Sequence, residues 1–463
     1  MKQVMGTYMN ENIFREYDIR GIAETDLTDK TVYMIGQSFG YYLSINSFTS
    51  MSISGDVRYT TDRIKKSFIE GATSQGIDVT DMGILPTPVN YFSLYNTEIV
   101  NSVQVTGSHN PSDYNGLKIS FNKKPFFGKM IQELKNIIQT DKFHKDKLLG
   151  KVNNVNIIND YYNYMISNFN FKKRIKVVMD CGNAVGAVIA PKIYKDLGVE
   201  LYELYCEVDP KFPNHHPDPT VDSNLKDVIN IMKTKKYDLG IAFDGDADRI
   251  VAVDNMGSII RADILLSIMI PYVVSANETV VYDVKCSKSL EESIDKVNAK
   301  PIMWKTGHSL IKNKMIETGS KIGGEMSGHI FFADRYFGFD DGIYVGLRLI
   351  EILLEGNHKL SDLFNKIPKY ISTPEIRIDC NNDQEKDSIT NKMIEFFINN
   401  YDCETIDGIR IKYEHGWALV RSSNTQPVIV CRFESDTISN LEKMKTEVFD
   451  KLSEYGDFNL DEY

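Results

Sequence analysis

The stretch Leu239-Gly240-Ile241-Ala242-Phe243-Asp244-Gly245-Asp246-Ala247-Asp248-Arg249 decides how the chain is read. Leu239 to Phe243 has the length and apolar character of a buried strand, and the polar residues after it end the strand. Three carboxylates directly after such a strand are costly unless cations pair with them. At alternate positions Asp244, Asp246 and Asp248 can converge on one hard divalent cation. An EF-hand loop would need Gly and Glu where the chain has Arg249 and Asn255, so that reading fails. A D-x-D-x-T/V nucleophile motif fails too, because Asp248 fills its last place. Arg249 is either a phosphate contact or a counter-charge.

Further runs of the same kind lie on either side. Val103-Gln104-Val105 enters a polar loop, Ile175 to Met179 ends at Asp180-Cys181-Gly182, and Val280 to Val284 ends at Lys285. Longer helical patterns separate them. The alternation predicts α/β architecture with largely parallel sheets, whose ligands gather at the carboxyl ends of strands. V-V-M-D from Val177 and V-V-Y-D from Val280 hint at related domains. Ser361 is read as the N-cap of a short helix, and Pro368 to Pro374 as a linker to a last domain with strands near Gly416–Val420 and Val428–Phe433. Other boundaries fall near Val155 and Ser258.

The 463 residues are 42% hydrophobic and 25% charged, with a net charge of −11. That composition suits a multidomain globular protein and excludes global disorder. An acidic chain without a basic tract makes a poor nucleic-acid binder. The longest near-apolar stretch, Ile264 to Ala276, is too short for a bilayer, and no signal pattern opens the chain. The six cysteines are scattered, as expected of reduced thiols in a cytoplasmic protein.

Three more constellations carry chemistry. Thr106-Gly107-Ser108-His109-Asn110-Pro111, continuing to Asn115-Gly116-Leu117-Lys118, places Ser108 in a loop at a strand end, with Gly107 allowing a tight turn. Ser108 is a candidate nucleophile or phosphoryl carrier, although a turn serine taken alone more often bonds its own backbone. In Gly324-Glu325-Met326-Ser327-Gly328-His329, a carboxylate and a hydroxyl at alternate positions suit sugar hydroxyls. Arg421-Ser422-Ser423-Asn424-Thr425-Gln426-Pro427 offers a guanidinium and neutral donors suited to phosphate. Each of these two could equally be a polar turn. There is no Walker A or G-x-G-x-x-G sequence, so no nucleotide cofactor is indicated.

In this order the four motifs resemble the α-D-phosphohexomutase superfamily, most nearly its bacterial phosphomannomutase/phosphoglucomutase branch. Phe14 to Gly21, Asn214 to Pro219, Asp283 to Cys286, Trp304 to Ser309 and Phe337 to Gly342 also fit. The resemblance implies three similar mixed α/β domains plus a smaller C-terminal α+β domain around a central cleft. They would be a phosphoserine domain (1–155), a metal-binding domain (156–258), a sugar-binding domain (259–369) and a phosphate-binding domain (370–463). It implies that Ser108 carries the phosphoryl group. Asp244, Asp246 and Asp248 would hold one Mg²⁺, completed by a phosphoserine oxygen. Glu325 and Ser327 would read the 3- and 4-hydroxyls of a sugar, and Arg421, Ser423, Asn424 and Thr425 would grip the non-reacting phosphate. Tyr17, Arg20, His109, Lys118, Arg249, Lys285, His308 and His329 match other cleft positions.

The implied reaction interconverts hexose 1-phosphate and hexose 6-phosphate through a 1,6-bisphosphate, with glucose or mannose 1,6-bisphosphate as activator. Lys118 and His329 are the candidate bases, Lys118 only if its pKa is depressed. The sugar is mannose, glucose or both; Met326 favours this branch over the phosphoglucosamine mutases. A phosphatase using Ser108 and a non-catalytic sugar-phosphate binder are the readings from other classes. The chain departs from the superfamily pattern at Ser54-Gly55-Asp56-Val57-Arg58, where G-R-D-x-R is common, and at Ala247, where many relatives have Gly. If that position needs positive φ, Ala costs about 1 kcal/mol. Oligomeric state is not legible.

Overall fold

The computed structural model describes residues 9–145, 147–423 and 426–460. They form three mixed α/β domains and a C-terminal domain, each built on its own sheet. The first three sheets share one motif. An opening strand pairs in parallel with the next strand on one side and with a later strand on the other. In the first sheet the opening strand is Ser50–Gly55, flanked by Asp78–Ile84 and Ser102–Val105. In the second it is Lys176–Asp180, flanked by Glu200–Leu204 and Leu239–Phe243. In the third it is Thr279–Asp283, flanked by Lys300–Trp304 and Ile322–Gly324. The short V-V-x-D likeness therefore marks equivalent strands. The loops bearing Ser108, the three aspartates and Glu325 all follow the equivalent later strand.

The first two sheets are less parallel than the sequence suggests. After the Ser108 loop the chain returns along Tyr114–Phe121, antiparallel to Ser102–Val105. After the aspartate loop it returns along Ile250–Asp254, antiparallel to Leu239–Phe243. A parallel neighbour needs a crossover of a dozen residues or more, and these loops are too short for one. Both loops thus sit where a sheet changes from parallel to antiparallel.

The helix Asp29–Ile45 is capped by Thr28, whose hydroxyl accepts the Thr31 N–H. It packs on the first sheet through a core that includes Phe39, Phe68, Val103, Val105 and Phe126. The last sheet is antiparallel throughout and is centred on Gly416–Ser422 and Val428–Ser435. The helices Asp383–Ile398 and Ile438–Tyr455 cover it through Met393, Phe397, Val448 and Leu452. Pro368 to Pro374 forms no helix, and its residues Ile371–Ser372 pair with Glu434 and Ser435. Ser361 is not an N-cap: the helix Leu360–Phe364 begins one residue earlier, and the buried Ser361 N–H donates to Asn255 Oδ1.

By contacts the chain divides into two compact units. One takes the residues up to Ala262 together with Ser327–Phe364; the other takes Asp263–Met326 together with Asn365 onward. Among the described residues no helix is long and apolar enough to cross a membrane.

Candidate active site

In the first unit Ser108 has φ +48 and is almost fully buried. The positive φ falls on the serine; Gly107, read from the sequence as the residue allowing the tight turn, has none. Gly107 is needed for space, since a Cβ there would lie 2.5 Å from the Arg58 guanidinium. Arg58 holds the loop through carbonyls. It donates to Ser108 O at 2.9 Å, Asn110 O at 2.6 Å and Tyr114 O at 3.0 Å, and also to Pro111 O. Asp56 accepts from Gly107 N at 3.1 Å and Thr106 Oγ1 at 2.9 Å. These bonds hold the loop in place with Gly55, and no arginine, before Asp56.

The loop aims Ser108 Oγ at Asp244 Oδ2, 2.9 Å away, with His109 Nδ1 at 3.2 Å from the same hydroxyl. Asp244, Asp246 and Asp248 are buried, and each offers an oxygen within 4.8 Å of the others. Ala247 between them has φ +62, a left-handed backbone that a glycine would adopt without strain. Asp246 also accepts from Thr87 Oγ1 at 2.5 Å. Asp246 Oδ1 and Asp248 Oδ1 are buried without a hydrogen bond. Burial beside two like charges pushes Asp244 well above the usual carboxylate range. Burial would raise Asp246 too, yet Lys118 and Thr87 hold it below its ordinary value. Three crowded carboxylates with unbonded buried oxygens, facing a hydroxyl, form a hard oxygen donor set that fits a divalent cation.

Lys118 Nζ lies 2.7 Å from Asp246 Oδ2 and 2.5 Å from Asp248 Oδ2. Burial alone would lower its pKa, but the aspartates outweigh burial and raise it above its ordinary value. The depressed pKa that a lysine base would need is therefore not found here. His329 Nε2 accepts from Arg249 Nε at 2.9 Å, and its Nδ1 lies 2.9 Å from Asp340 Oδ2. The Arg249 bond assigns the ring proton to Nδ1, facing Asp340. Burial and the cations Arg249, Arg20 and Lys118 push His109 well below the usual imidazole value. Arg20 pairs with Asp18 at 2.6 Å and reaches Asn110 Oδ1 at 3.3 Å. Tyr17 is half-buried just before the strand Ile19–Ile22, and Ser327 lies in a half-buried turn before His329.

The second unit carries the other candidates. Buried Glu325 follows the strand Ile322–Gly324 and accepts the Gly307 N–H at 2.5 Å. His308 opens the helix His308–Thr318. Lys285 Nζ lies 3.3 Å from Glu375 Oε2 and 3.8 Å from Asp283 Oδ2. Burial would lower Lys285, but these carboxylates raise it; in return Lys285 holds Glu375 down at about 2. Arg421 is the next-to-last residue of the strand Gly416–Ser422 and pairs through Nε with Asp407. The Ser423 N–H donates to Val428 O, and its carbonyl accepts from Lys386. Asn424 and Thr425 lie outside the described residues.

Thr87, Asp283, Asp340, Glu375 and Asp407 touch these candidates, yet the sequence reading gave them no role. Thr87 and Asp246 are 159 positions apart, so no local spacing could pair them. The nearest signal was Pro86-Thr87-Pro88, which marks a helix start.

Models of the phosphoglucomutase/phosphomannomutase alpha/beta/alpha domains I, II and III match residues 11–145, 159–257 and 261–370, and that of the C-terminal domain matches 375–451. This ordered set of four domains defines an α-D-phosphohexomutase. The chain is 43% identical over 437 residues, 94% of each chain, to a phosphomannomutase/phosphoglucomutase of Pseudomonas aeruginosa. It is 40% identical over 442 residues to a phosphoglucomutase of Neisseria meningitidis, covering 94% of this chain and 95% of the other. A crystal structure of a phosphoglucomutase/phosphomannomutase family protein from Burkholderia thailandensis has a TM-score of 0.89 at 35% identity, covering 97% of this chain and 99% of that one. The chain belongs to the phosphoglucomutase/phosphomannomutase family.

Proposed function

We propose that the enzyme interconverts the 1- and 6-phosphates of mannose, glucose or both, with Ser108 as the phosphoryl carrier. The observation that carries this reading is the Ser108 hydroxyl, 2.9 Å from Asp244 at the head of a buried acidic triad. Phosphoserine donates its phosphoryl group to the free hydroxyl of a hexose monophosphate. The resulting 1,6-bisphosphate turns over, and its other phosphate returns to Ser108. Asp244, Asp246, Asp248 and a phosphoserine oxygen would hold Mg²⁺, which neutralises charge on the transferring group. Lys118, Arg20, Arg249 and His109 line the reacting side; with Lys118 held in its charged form by the aspartates, His329 is the remaining candidate to take the proton of the attacking hydroxyl.

Glu325 and Ser327 read the 3- and 4-hydroxyls, with Lys285, His308 and Tyr17 as further substrate contacts. Arg421, Ser423, Asn424 and Thr425 grip the phosphate that is not reacting, so the same grip serves both orientations of the sugar. Mannose and glucose differ only at C2. One hydrogen bond there is worth about 1 kcal/mol, a preference of roughly fivefold. The four-domain soluble architecture fits a cytoplasmic phosphoprotein acting on small sugar phosphates.

Phosphorus NMR tests the reading. The protein is given mannose 1-phosphate or glucose 1-phosphate with Mg²⁺ and a trace of glucose 1,6-bisphosphate. The 6-phosphates should appear, and a chelator should stop their formation until Mg²⁺ is restored. Release of inorganic phosphate without 6-phosphate would mark a phosphatase instead. Full activity in chelator would remove the aspartates as essential metal ligands.

A further inference from the structure

Within the second unit, one carboxylate joins two of the candidate loops. Asp407 Oδ2 accepts Arg421 Nε–H at 2.9 Å and the Thr306 backbone N–H at 3.0 Å. The Asp407 and Arg421 side chains are only 12% and 6% exposed, so solvent screens the pair weakly. The connection continues inward. Thr306 Oγ1 donates to Asp283 Oδ2 at 3.0 Å, and Asp283 Oδ1 accepts the Met326 N–H at 3.2 Å. Glu325 accepts the neighbouring Gly307 N–H. Arg421, the Thr306–His308 segment and the Glu325–Met326 turn thus belong to one hydrogen-bonded frame.

A guanidinium is planar, and its fork recognises phosphate only when the plane is correctly turned. A carboxylate on Nε fixes that plane. We infer that Asp407 is a positioning residue for phosphate recognition, setting the orientation of Arg421 and keeping it in register with the segment that begins the His308 helix. This inference rests on reading Arg421 as the grip on the non-reacting phosphate. That grip serves both sugar orientations, so losing Asp407 weakens hexose 1-phosphate and hexose 6-phosphate alike. Turnover at saturation is largely spared, because the reacting groups are not touched.

The test compares Asp407→Ala, Asp407→Asn, Arg421→Ala and the Asp407→Ala/Arg421→Ala double variant. KM and kcat are measured in both directions, with the dissociation constant of glucose 1,6-bisphosphate and the thermal midpoint. Asp407→Ala should raise KM about tenfold in both directions with kcat within about threefold, the size expected for a hydrogen bond between charged groups. Asp407→Asn keeps the shape and should lie between Asp407→Ala and the parent, which also covers the case in which the alanine variant folds poorly. The second substitution should add little to Arg421→Ala, since residues acting through one another are not additive. If Arg421→Ala raises KM while both Asp407 variants do not, the positioning role is overturned and the phosphate grip stands. A lowered thermal midpoint with unchanged KM likewise leaves Asp407 only a structural part and overturns the inference. If Arg421→Ala itself leaves KM and bisphosphate affinity unchanged, the phosphate-grip reading fails, and the role of Asp407 fails with it.

Discussion

Ser108 and Ala247 both occupy left-handed backbone conformations, which cost L-residues roughly 1–2 kcal/mol each. Such strain persists only where surrounding contacts over-determine it. At Ser108 those contacts are the Arg58 bonds to the carbonyls of Ser108 and Asn110 and the Asp56 bonds to Thr106 and Gly107. The strained serine also comes very close to the aspartate loop: a Cβ on Gly245 would lie 2.2 Å from Ser108 O. That neighbour is backbone held by Arg58, so it cannot swing aside as a flexible side chain would. Gly245→Ala is therefore expected to push Ser108 Oγ away from Asp244 and lower kcat by at least about 10²-fold, the scale of an ångström-sized misplacement. Steady-state kinetics together with the thermal midpoint checks this. Unchanged kcat in a folded variant would mean that the closeness of the two loops is not needed for catalysis.

At the scale of elements, the three loops singled out from residue type each follow the equivalent strand of a repeated parallel motif. The strands were legible because five-residue apolar runs ending in Asp, Gly or Lys leave little alternative. The boundaries moved by only one or two residues, as with Gly416–Ser422 against Gly416–Val420. The antiparallel return strands were not legible as such, because strand direction is set by loop length and pairing rather than by residue type. The partners of the candidate residues were also hidden. Thr87 and Asp407 act across large sequence separations, and only the fold brings them to their partners. The Lys285–Glu375 pair is another such case, joining a strand end to the segment after Pro374. Glu375 is held at about 2, below its ordinary 4.5. A depressed carboxyl stabilises the folded state above its unfolded pKa, and that contribution is lost as pH falls from about 4.5 toward 2. A shift of this size corresponds to roughly 3 kcal/mol. Glu375→Gln should therefore lower the thermal midpoint at neutral pH, with the gap to the parent protein narrowing below about pH 4.5. A gap that stays constant down to pH 3 would contradict the ion-pair account.

At the scale of the molecule, the candidate residues are spread over both compact units. The serine, the acidic triad, Lys118 and His329 belong to one compact unit; Lys285, Glu325, His308 and Arg421 belong to the other. No single motif would have given the function: a turn serine, an acidic loop or a polar hairpin is each common alone. Their order along nearly the whole chain made the resemblance specific, and the four family matches follow the same order. If Ser108 carries the phosphoryl group between sugar positions, that group can be trapped on it and followed off it. The most direct measurement loads the protein with glucose 1,6-bisphosphate labelled in its phosphates, locates the label by peptide mass spectrometry, and then adds unlabelled hexose monophosphate. Label should appear on Ser108, be chased into hexose bisphosphate and monophosphate, and be missing from Ser108→Ala. Label on another residue, or label leaving Ser108 only as inorganic phosphate, would contradict that role for Ser108.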